Sequence, residues 1–282
     1  MYDISQKIDK FNLEIFIKIK EITDKLGIDY FIVGATVRDI ILNYVYNIII
    51  YRKTNDVDFG VRVRNWDEYK LLLTEVEKVG FKKSESIMHR YTYKSMIIDF
   101  IPFGEISIND ENIIWPDKYQ KEMNVIGFDE AFINSDEILI QNNPEIIVRM
   151  ASVEFLVILK IISWNERSID LRLSDAKDLY LIITSYLKAG NEARLFDHED
   201  IVDLAIDYEL SGAMLLGRDI SKAVSKGTLE RILEILSDDK LAALANEMTT
   251  YEVARFENHD QRVEWCLELL KSLKLGLTKK VA

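Results

Sequence analysis

One cysteine, three prolines and three histidines occur among the 282 residues. Cys266 alone cannot close an internal disulfide, and it lies in an apolar helical pattern. The expected home is therefore reducing and cytoplasmic. His89, His198 and His259 stand far apart, with no spacing that suggests zinc. With so few prolines and only eleven glycines, no long loop-rich or disordered stretch is signalled. The opening residues, Met1 to Lys7, carry no apolar signal segment. The longest apolar stretch, Val153 to Ile162, is interrupted by Glu154 and Lys160 and is too short to span a bilayer, so no membrane partner is expected. Positive charge is scarce too: 36 Lys and Arg stand against 48 Asp and Glu, a net charge of -12. That argues against a protein that coats long nucleic acid, because neutralising phosphates needs clustered cations. A brief contact through one local basic patch is still open. Arg52, Lys53, Lys82, Lys83, Arg90 and Lys94 are its candidates, and a solvated surface is the alternative.

What is present is a soluble globular balance, nearly half apolar, in a length that suits one large domain or two ordinary ones. From about Ser5 to Lys25, apolar side chains recur at helical spacing, and Gly27 stops the run. Tyr30 to Val33 predicts a short buried strand ending at Gly34, and Val37 to Tyr44 a helix. Asp56 to Val63 alternates strictly, as a half-buried strand does. Trp66 to Val79 predicts a helix ended by Gly80, and Arg90 to Tyr93 and Met96 to Pro102 predict two strands joined by a tight turn. The first half is thus α/β. Near Pro144 the texture changes. Ser152 to Trp164 is helical, Ser174 is placed as the cap of another helix with Asp175 in its first turn, and only helical spacing follows: Ile201–Tyr208, Leu229–Leu236, Leu241–Met248 and Val263–Leu273. The boundary is set at about Asn143, giving 1–143 and 144–282.

Three carboxylates carry the chemistry. Asp56 and Asp58 are two apart on one strand, so both point to the same face, while Val57 and Phe59 point to the other. Asp99 sits in a strongly apolar strand, Met96 to Ile101, where an unpaired aspartate suffers a large desolvation cost. Acids converging on one face repel each other; a divalent cation resolves this, and hard oxygen ligands favour Mg²⁺ or Mn²⁺. Three unrelated acids are the structural alternative. Upstream, the order strand, Gly34-Ala35-Thr36-Val37-Arg38-Asp39, helix presents backbone N–H groups to an anion, and Arg38 lies one turn in. Further along, Lys160 is embedded in Phe155 to Ile162, apolar nearly all round, and needs either an anionic partner or a route to the surface. Asp175 and Asp178 lie three apart on one helix face.

The order glycine turn, Asp-x-Asp strand, later strand carboxylate resembles the DNA polymerase β nucleotidyltransferase superfamily. Gly34 to Asp39, Thr54-Asn55-Asp56-Val57-Asp58-Phe59, Ile98-Asp99-Phe100-Ile101-Pro102-Phe103-Gly104, Met123 to Phe128, Leu159 to Trp164 with Asp175 to Leu179, and Gly212 to Asp219 narrow the resemblance to the AbiEii/AbiGii toxin family over roughly residues 28 to 220. The resemblance implies a nucleotidyltransferase-fold mixed sheet with flanking helices, followed by an all-helical domain completing a nucleotide cleft. It implies an enzyme that moves a nucleoside monophosphate from a nucleoside triphosphate to an acceptor hydroxyl, on a tRNA 3′ end or a protein. Asp56, Asp58 and Asp99 would be catalytic and hold Mg²⁺ or Mn²⁺. Gly34, Ala35, Thr36, Arg38, Lys160, Asp175 and Asp178 would form or support the triphosphate site. It further implies the toxin of a bacterial toxin–antitoxin or phage-defence pair, with a cognate antitoxin as partner. Two departures stand out. Ala35 takes the place of a hydroxyl or glycine, leaving Thr36 or backbone amides to meet phosphate, and Leu42 to Arg52 is an insertion expected to add helix and strand. A small-molecule, antibiotic-modifying transferase and an inactive nucleotide- or partner-binding relic are the alternatives.

Overall fold

The computed structural model describes residues 1–50, 54–109, 111–116, 121–204, 207–249 and 256–279. Its contacts divide the chain into two units, Met1–Ser152 and Val153–Ala282. The position set as a boundary, Asn143, lies in the turn between two paired strands of the first unit.

In the first unit the elements run β1 (Tyr2–Asp3), α1 (Lys10–Leu26), β2 (Asp29–Val33), α2 (Gly34–Asp39), β3 (Asp56–Arg62), α3 (Trp66–Lys78), β4 (Lys82–Lys83), β5 (Arg90–Tyr93), β6 (Met96–Phe103), β7 (Asn112–Ile114), β8 (Glu122–Asn124), α4 (Phe128–Ile133), β9 (Asp136–Asn142) and β10 (Glu145–Met150). Among the described residues, eight strands form one mixed sheet in the order β1-β9-β10-β2-β3-β6-β5-β4, and β7 pairs with β8 apart from it. The α/β class and mixed sheet agree with the expectation from sequence. β3 lies parallel to β6 and antiparallel to β2, while β5 and β6 form an antiparallel hairpin.

Local chemistry sets these elements. The Asp9 side chain accepts from the N–H groups of Phe11 and Asn12 to start α1, and Gly27, at φ 65°, ends it in the left-handed region that glycine tolerates. The alternation of β3 turns Val57, Phe59 and Val61 to one face, where Phe59 stacks on Phe100 at 5.6 Å and meets Phe16 of α1 edge-on at 6.2 Å. Each buried aromatic of this kind stabilises by roughly 1.5–3 kcal/mol. On the opposite face, Gly60 lacks a Cβ because Phe31 lies over it, and Phe31 packs with Phe103, Phe128 and Phe132. The same face carries Asp56 and Asp58 at the other end of β3.

The insertion differs from expectation. Ile40–Val45 continues α2 as a π-helical turn, and residues 48–50 are irregular rather than a strand. The rest of the segment lies outside the described residues. Asn142, Asn143 and Pro144 interrupt the alternation of the β9–β10 hairpin, which gives its turn the look of a domain boundary.

The second unit is helical: α5 (Val153–Glu166), α6 (Ile169–Ser185), α7 (Glu199–Leu204), α8 (Tyr208–Ala223), α9 (Lys226–Ile235), α10 (Asp238–Met248) and α11 (His259–Thr278), with a π turn and a 3₁₀ turn between α6 and α7. α6 starts after Ser168, not at Ser174. The Ser174 hydroxyl instead donates back to the carbonyl of Leu171 at 2.8 Å, a bond open to serine inside a helix, so it caps nothing. The pattern over Ile201 to Tyr208 belongs to two helices, α7 and α8, the second capped by Asp207. α8 and α11 cross where Gly217 meets Gly276: a Cβ on Gly217 would lie 2.9 Å from the Leu277 nitrogen. Among the described residues, no helix is long and apolar enough to cross a membrane.

Candidate active site

The acids are positioned by strand register. In the parallel pair β3–β6, Asp58 lies directly opposite Asp99, and Asp56 opposite Ile97. Partners opposite each other share a face, so Asp56, Asp58 and Asp99 lie on one side of the sheet. Register extends the row in both directions: Val33 of β2 opposes Asp58, and Arg90 of β5 opposes Asp99. One line across four strands therefore reads Val33, Asp58, Asp99, Arg90.

Each acid meets different surroundings. Asp99 is buried, and Arg90 holds both of its oxygens in a fork, Nε to Oδ1 at 2.8 Å and Nη2 to Oδ2 at 2.7 Å. His89 Nε2 lies 3.9 Å from the same carboxylate, and its ring is tilted against Trp115 at 5.4 Å. The hydrogen bonds to Asp99 hold the Arg90 guanidinium above its ordinary value, with the Asp99, Asp58 and Asp56 charges adding to them against partial burial. Asp56 meets the Thr54 hydroxyl, while the Thr36 hydroxyl donates to the Asp56 carbonyl at 2.5 Å.

Gly34 sits beside Asp58. Its φ of +80° favours glycine, and a Cβ there would collide with the Asp58 carboxylate. The glycine thus keeps a carboxylate and a turn of backbone N–H groups side by side, with Gly34 and Ala35 partly exposed. Thr36 and Arg38 are buried and turned inward. With its one proton directed at the Asp56 carbonyl, the Thr36 hydroxyl donates to protein, which leaves backbone amides for a phosphate. Arg38 pairs with the neighbouring Asp39, whose other oxygen accepts from the Thr54 N–H at 3.2 Å. A chain from Arg38 through Asp39 and Thr54 thus ends on Asp56 and orients it. A cavity of about 230 Å³ opens behind this chain, lined by Asp9, Asn12, Thr36, Asp39, Thr54 and Asn55 among others.

In the second unit, Lys160 Nζ lies 2.8 Å from both Asp175 Oδ1 and Asp178 Oδ2. Asp175 is fully buried and also accepts from Ser163 at 3.1 Å and Arg167 at 3.0 Å. Burial works against the Lys160 charge, but the Asp178 and Asp175 charges and their hydrogen bonds outweigh it and hold the ammonium above the usual lysine value. Arg172 of α6 pairs with Glu247, which also accepts from the Trp164 indole at 2.6 Å.

The proposed basic patch is divided. Lys94 pairs with Glu14 at 2.6 Å, Arg90 with Asp99, and Lys82 and Lys83 line the sheet edge on β4. Arg52 and Lys53 lie outside the described residues.

The donor set bears on whether a cation fits. Among the described residues, no three His, Cys, Asp or Glu side chains converge closely enough to hold a metal as they stand. The reason is local: Asp99 is turned onto Arg90, leaving Asp56 and Asp58 as the adjacent oxygen pair. Mg²⁺ commonly takes only one or two carboxylates together with substrate phosphates, so this pair beside the Gly34 turn fits such a cation.

Sequence reasoning named Arg90 only as a patch member. Its role was readable from the expected tight turn: if Tyr93 pairs with Met96, each step back along one strand matches a step forward along the other, and Arg90 falls opposite Asp99.

Comparison with solved structures finds likeness to the antibiotic-resistance factor ANT(2″)-Ia, with 16% identity and a TM-score of 0.41 over 70% of this chain and 97% of that one. ANT(2″)-Ia in complex with adenylyl-2″-tobramycin matches at 17% identity and a TM-score of 0.39, over 66% of this chain and 99% of that one. The Thermotoga maritima CCA-adding enzyme complexed with tRNA matches at 12% identity and a TM-score of 0.29, over 96% of this chain and 82% of that one. No family model matches the chain, and no curated protein matches it.

Proposed function

We propose that this protein is a metal-dependent nucleotidyltransferase that moves a nucleoside monophosphate from a nucleoside triphosphate to an acceptor hydroxyl. The observation that carries the reading is the register of Asp58 beside Asp99, with Asp56 on the same face and the Gly34 turn against Asp58. Backbone N–H groups after Gly34 bind phosphate oxygens. Asp56 and Asp58 would hold Mg²⁺ or Mn²⁺, with Asp56 oriented by Thr54. Such a cation, when bound, neutralises developing charge on the phosphates and lowers the pKa of a coordinated hydroxyl. Asp99 accepts the acceptor's proton as the acceptor oxygen bonds to the α-phosphorus and the bond to the bridging oxygen breaks, releasing pyrophosphate. The motif resemblance supports a tRNA 3′ end or a protein hydroxyl as acceptor, a toxin role and an antitoxin partner in the cytoplasm. The net charge of -12 favours a second reading, transfer to a cationic small molecule.

The test is incubation with each labelled nucleoside triphosphate and, in parallel, total cellular RNA, a protein extract and aminoglycosides. Label on RNA or protein supports the first reading, and label on the small molecule the second. No transfer to any acceptor, with triphosphate binding retained, would leave a binding protein in their place.

A further inference from the structure

The row Val33, Asp58, Asp99, Arg90 ends in a guanidinium that occupies both oxygens of one of its acids. Arg90 comes from the hairpin neighbour of the strand that bears Asp99, so the fork is built into the sheet and needs no loop to close. Its side chain is about one third exposed, at 34%, against 9% for Asp99. The guanidinium can therefore reach a bound molecule on that face, whereas Asp99 is reached only once the fork opens. A fixed positive charge on Asp99 also repels any second cation placed there.

We propose that Arg90 is a positioning residue that holds Asp99 in reserve and releases it when a triphosphate binds. The proposal rests on the nucleotidyltransferase reading. A triphosphate anchored at Gly34 and lying over Asp58 comes next to Asp99 and Arg90 along the same row. Phosphate oxygens accept the guanidinium fork as well as a carboxylate does. Transfer of the fork from Asp99 to phosphate keeps Arg90 paired and sets Asp99 free for the acceptor hydroxyl and a cation. Without nucleotide the acid is masked, and the third carboxylate joins the site only when there is a phosphate to act on.

Mn²⁺ binding to the full chain, measured by calorimetry with and without a non-hydrolysable triphosphate analogue, tests this. Wild type should bind Mn²⁺ weakly alone and more tightly with the analogue. Arg90→Gln should bind Mn²⁺ about tenfold more tightly without nucleotide, within the usual range of coupling between sites, and should bind the analogue more weakly. The gain should vanish in the Arg90→Gln, Asp99→Asn double variant. Arg90→Lys keeps the charge but not the fork and should gain less. It carries the test should Arg90→Gln lose its melting transition. Unchanged or weaker Mn²⁺ binding in a folded Arg90 variant overturns the proposal. Asp58→Asn separates the two ideas. If it leaves Mn²⁺ affinity unaltered, the nucleotidyltransferase reading fails; if it removes binding while Arg90→Gln changes nothing, only the role of Arg90 falls.

Discussion

Asp99 in the first unit and Asp175 in the second are both buried aspartates. Asp175 belongs to a closed, charge-matched cluster: Lys160 and Arg167 answer Asp175 and Asp178, and Ser163 takes a remaining lone pair. Asp99 belongs to an acid-rich face, where Arg90 forks one carboxylate and the described partner of Asp56 is the neutral hydroxyl of Thr54. The desolvation cost that makes a buried acid conspicuous is therefore met in two ways. A matched cluster within neighbouring helices is a structural element. A row of acids on a sheet face, beside a glycine turn, is what the proposed transferase would use.

The largest effect that could break this contrast is on turnover. Asp58→Asn is nearly isosteric, so the close approach of Gly34 survives, but a charged oxygen pair becomes one carbonyl. Removing a group that only orients a metal ligand costs about 10–100-fold in metal affinity or activity, and loss of a ligand itself should exceed about a hundredfold. Folding should be unharmed or slightly improved as like charges are relieved. Pyrophosphate release and thermal melting, measured together, check both halves. In cells, growth arrest by wild type and by Asp58→Asn to the same degree at matched expression would give the lead to a binding role.

Lys160→Met should do the opposite. It leaves Asp175 and Asp178 buried against a methyl thioether, and breaking a buried pair from one side costs about 3–5 kcal/mol. Urea unfolding should show that loss. A stable Lys160→Met protein with weakened triphosphate binding would return Lys160 to the phosphate site that the motif resemblance implies.

The α/β class was legible because alternation in Asp56–Val63 and helical spacing downstream are strong, long signals, whereas the mixed sheet was implied by the motif resemblance. The same alternation suffices to put Asp56 and Asp58 on one face. What stayed hidden were pairings across elements. Thr36, Arg38 and Lys160 have donors suited to phosphate, but whether a donor faces a ligand or a protein oxygen depends on the neighbours that folding supplies. Asp56 claims Thr36, Asp39 claims Arg38, and two aspartates claim Lys160. The inner strand pair β9–β10 stayed hidden because its turn residues outweigh a short alternation on either side.

A smaller effect sharpens the description of the second unit as packed structure. Gly276→Ala would drive a methyl into the Met214 carbonyl oxygen, and to 3.0 Å from the Arg218 nitrogen and Gly217 Cα, at the crossing of α8 and α11. Overpacking of this kind costs about 1–3 kcal/mol. A lowered urea midpoint with an unchanged slope is the expected result. An unchanged midpoint would mean that the two helices separate easily, and the contrast with the first unit would lose its packing half.

The smallest effect isolates burial from charge pattern. Glu75 of α3 lies between Lys25 at 2.6 Å and Lys78 at 2.5 Å, the Lys160 arrangement with signs exchanged and with both partners on the surface. Hydrogen bonds from Lys25 and Lys78 outweigh a small desolvation and hold its carboxyl near 2, below the usual 4.5. A depressed folded value means that the stabilisation is present above pH 4.5 and fades as pH falls from there towards 2. Glu75→Gln should therefore melt slightly below wild type at neutral pH, and the difference should close near pH 2. Because both lysines face solvent, it should also close in high salt, where screening acts within about 3 Å at 1 M. A deficit that outlasts both acid and salt would show that Glu75 acts through packing of α1 against α3, and that exposed partners alone do not separate it from the Lys160 cluster.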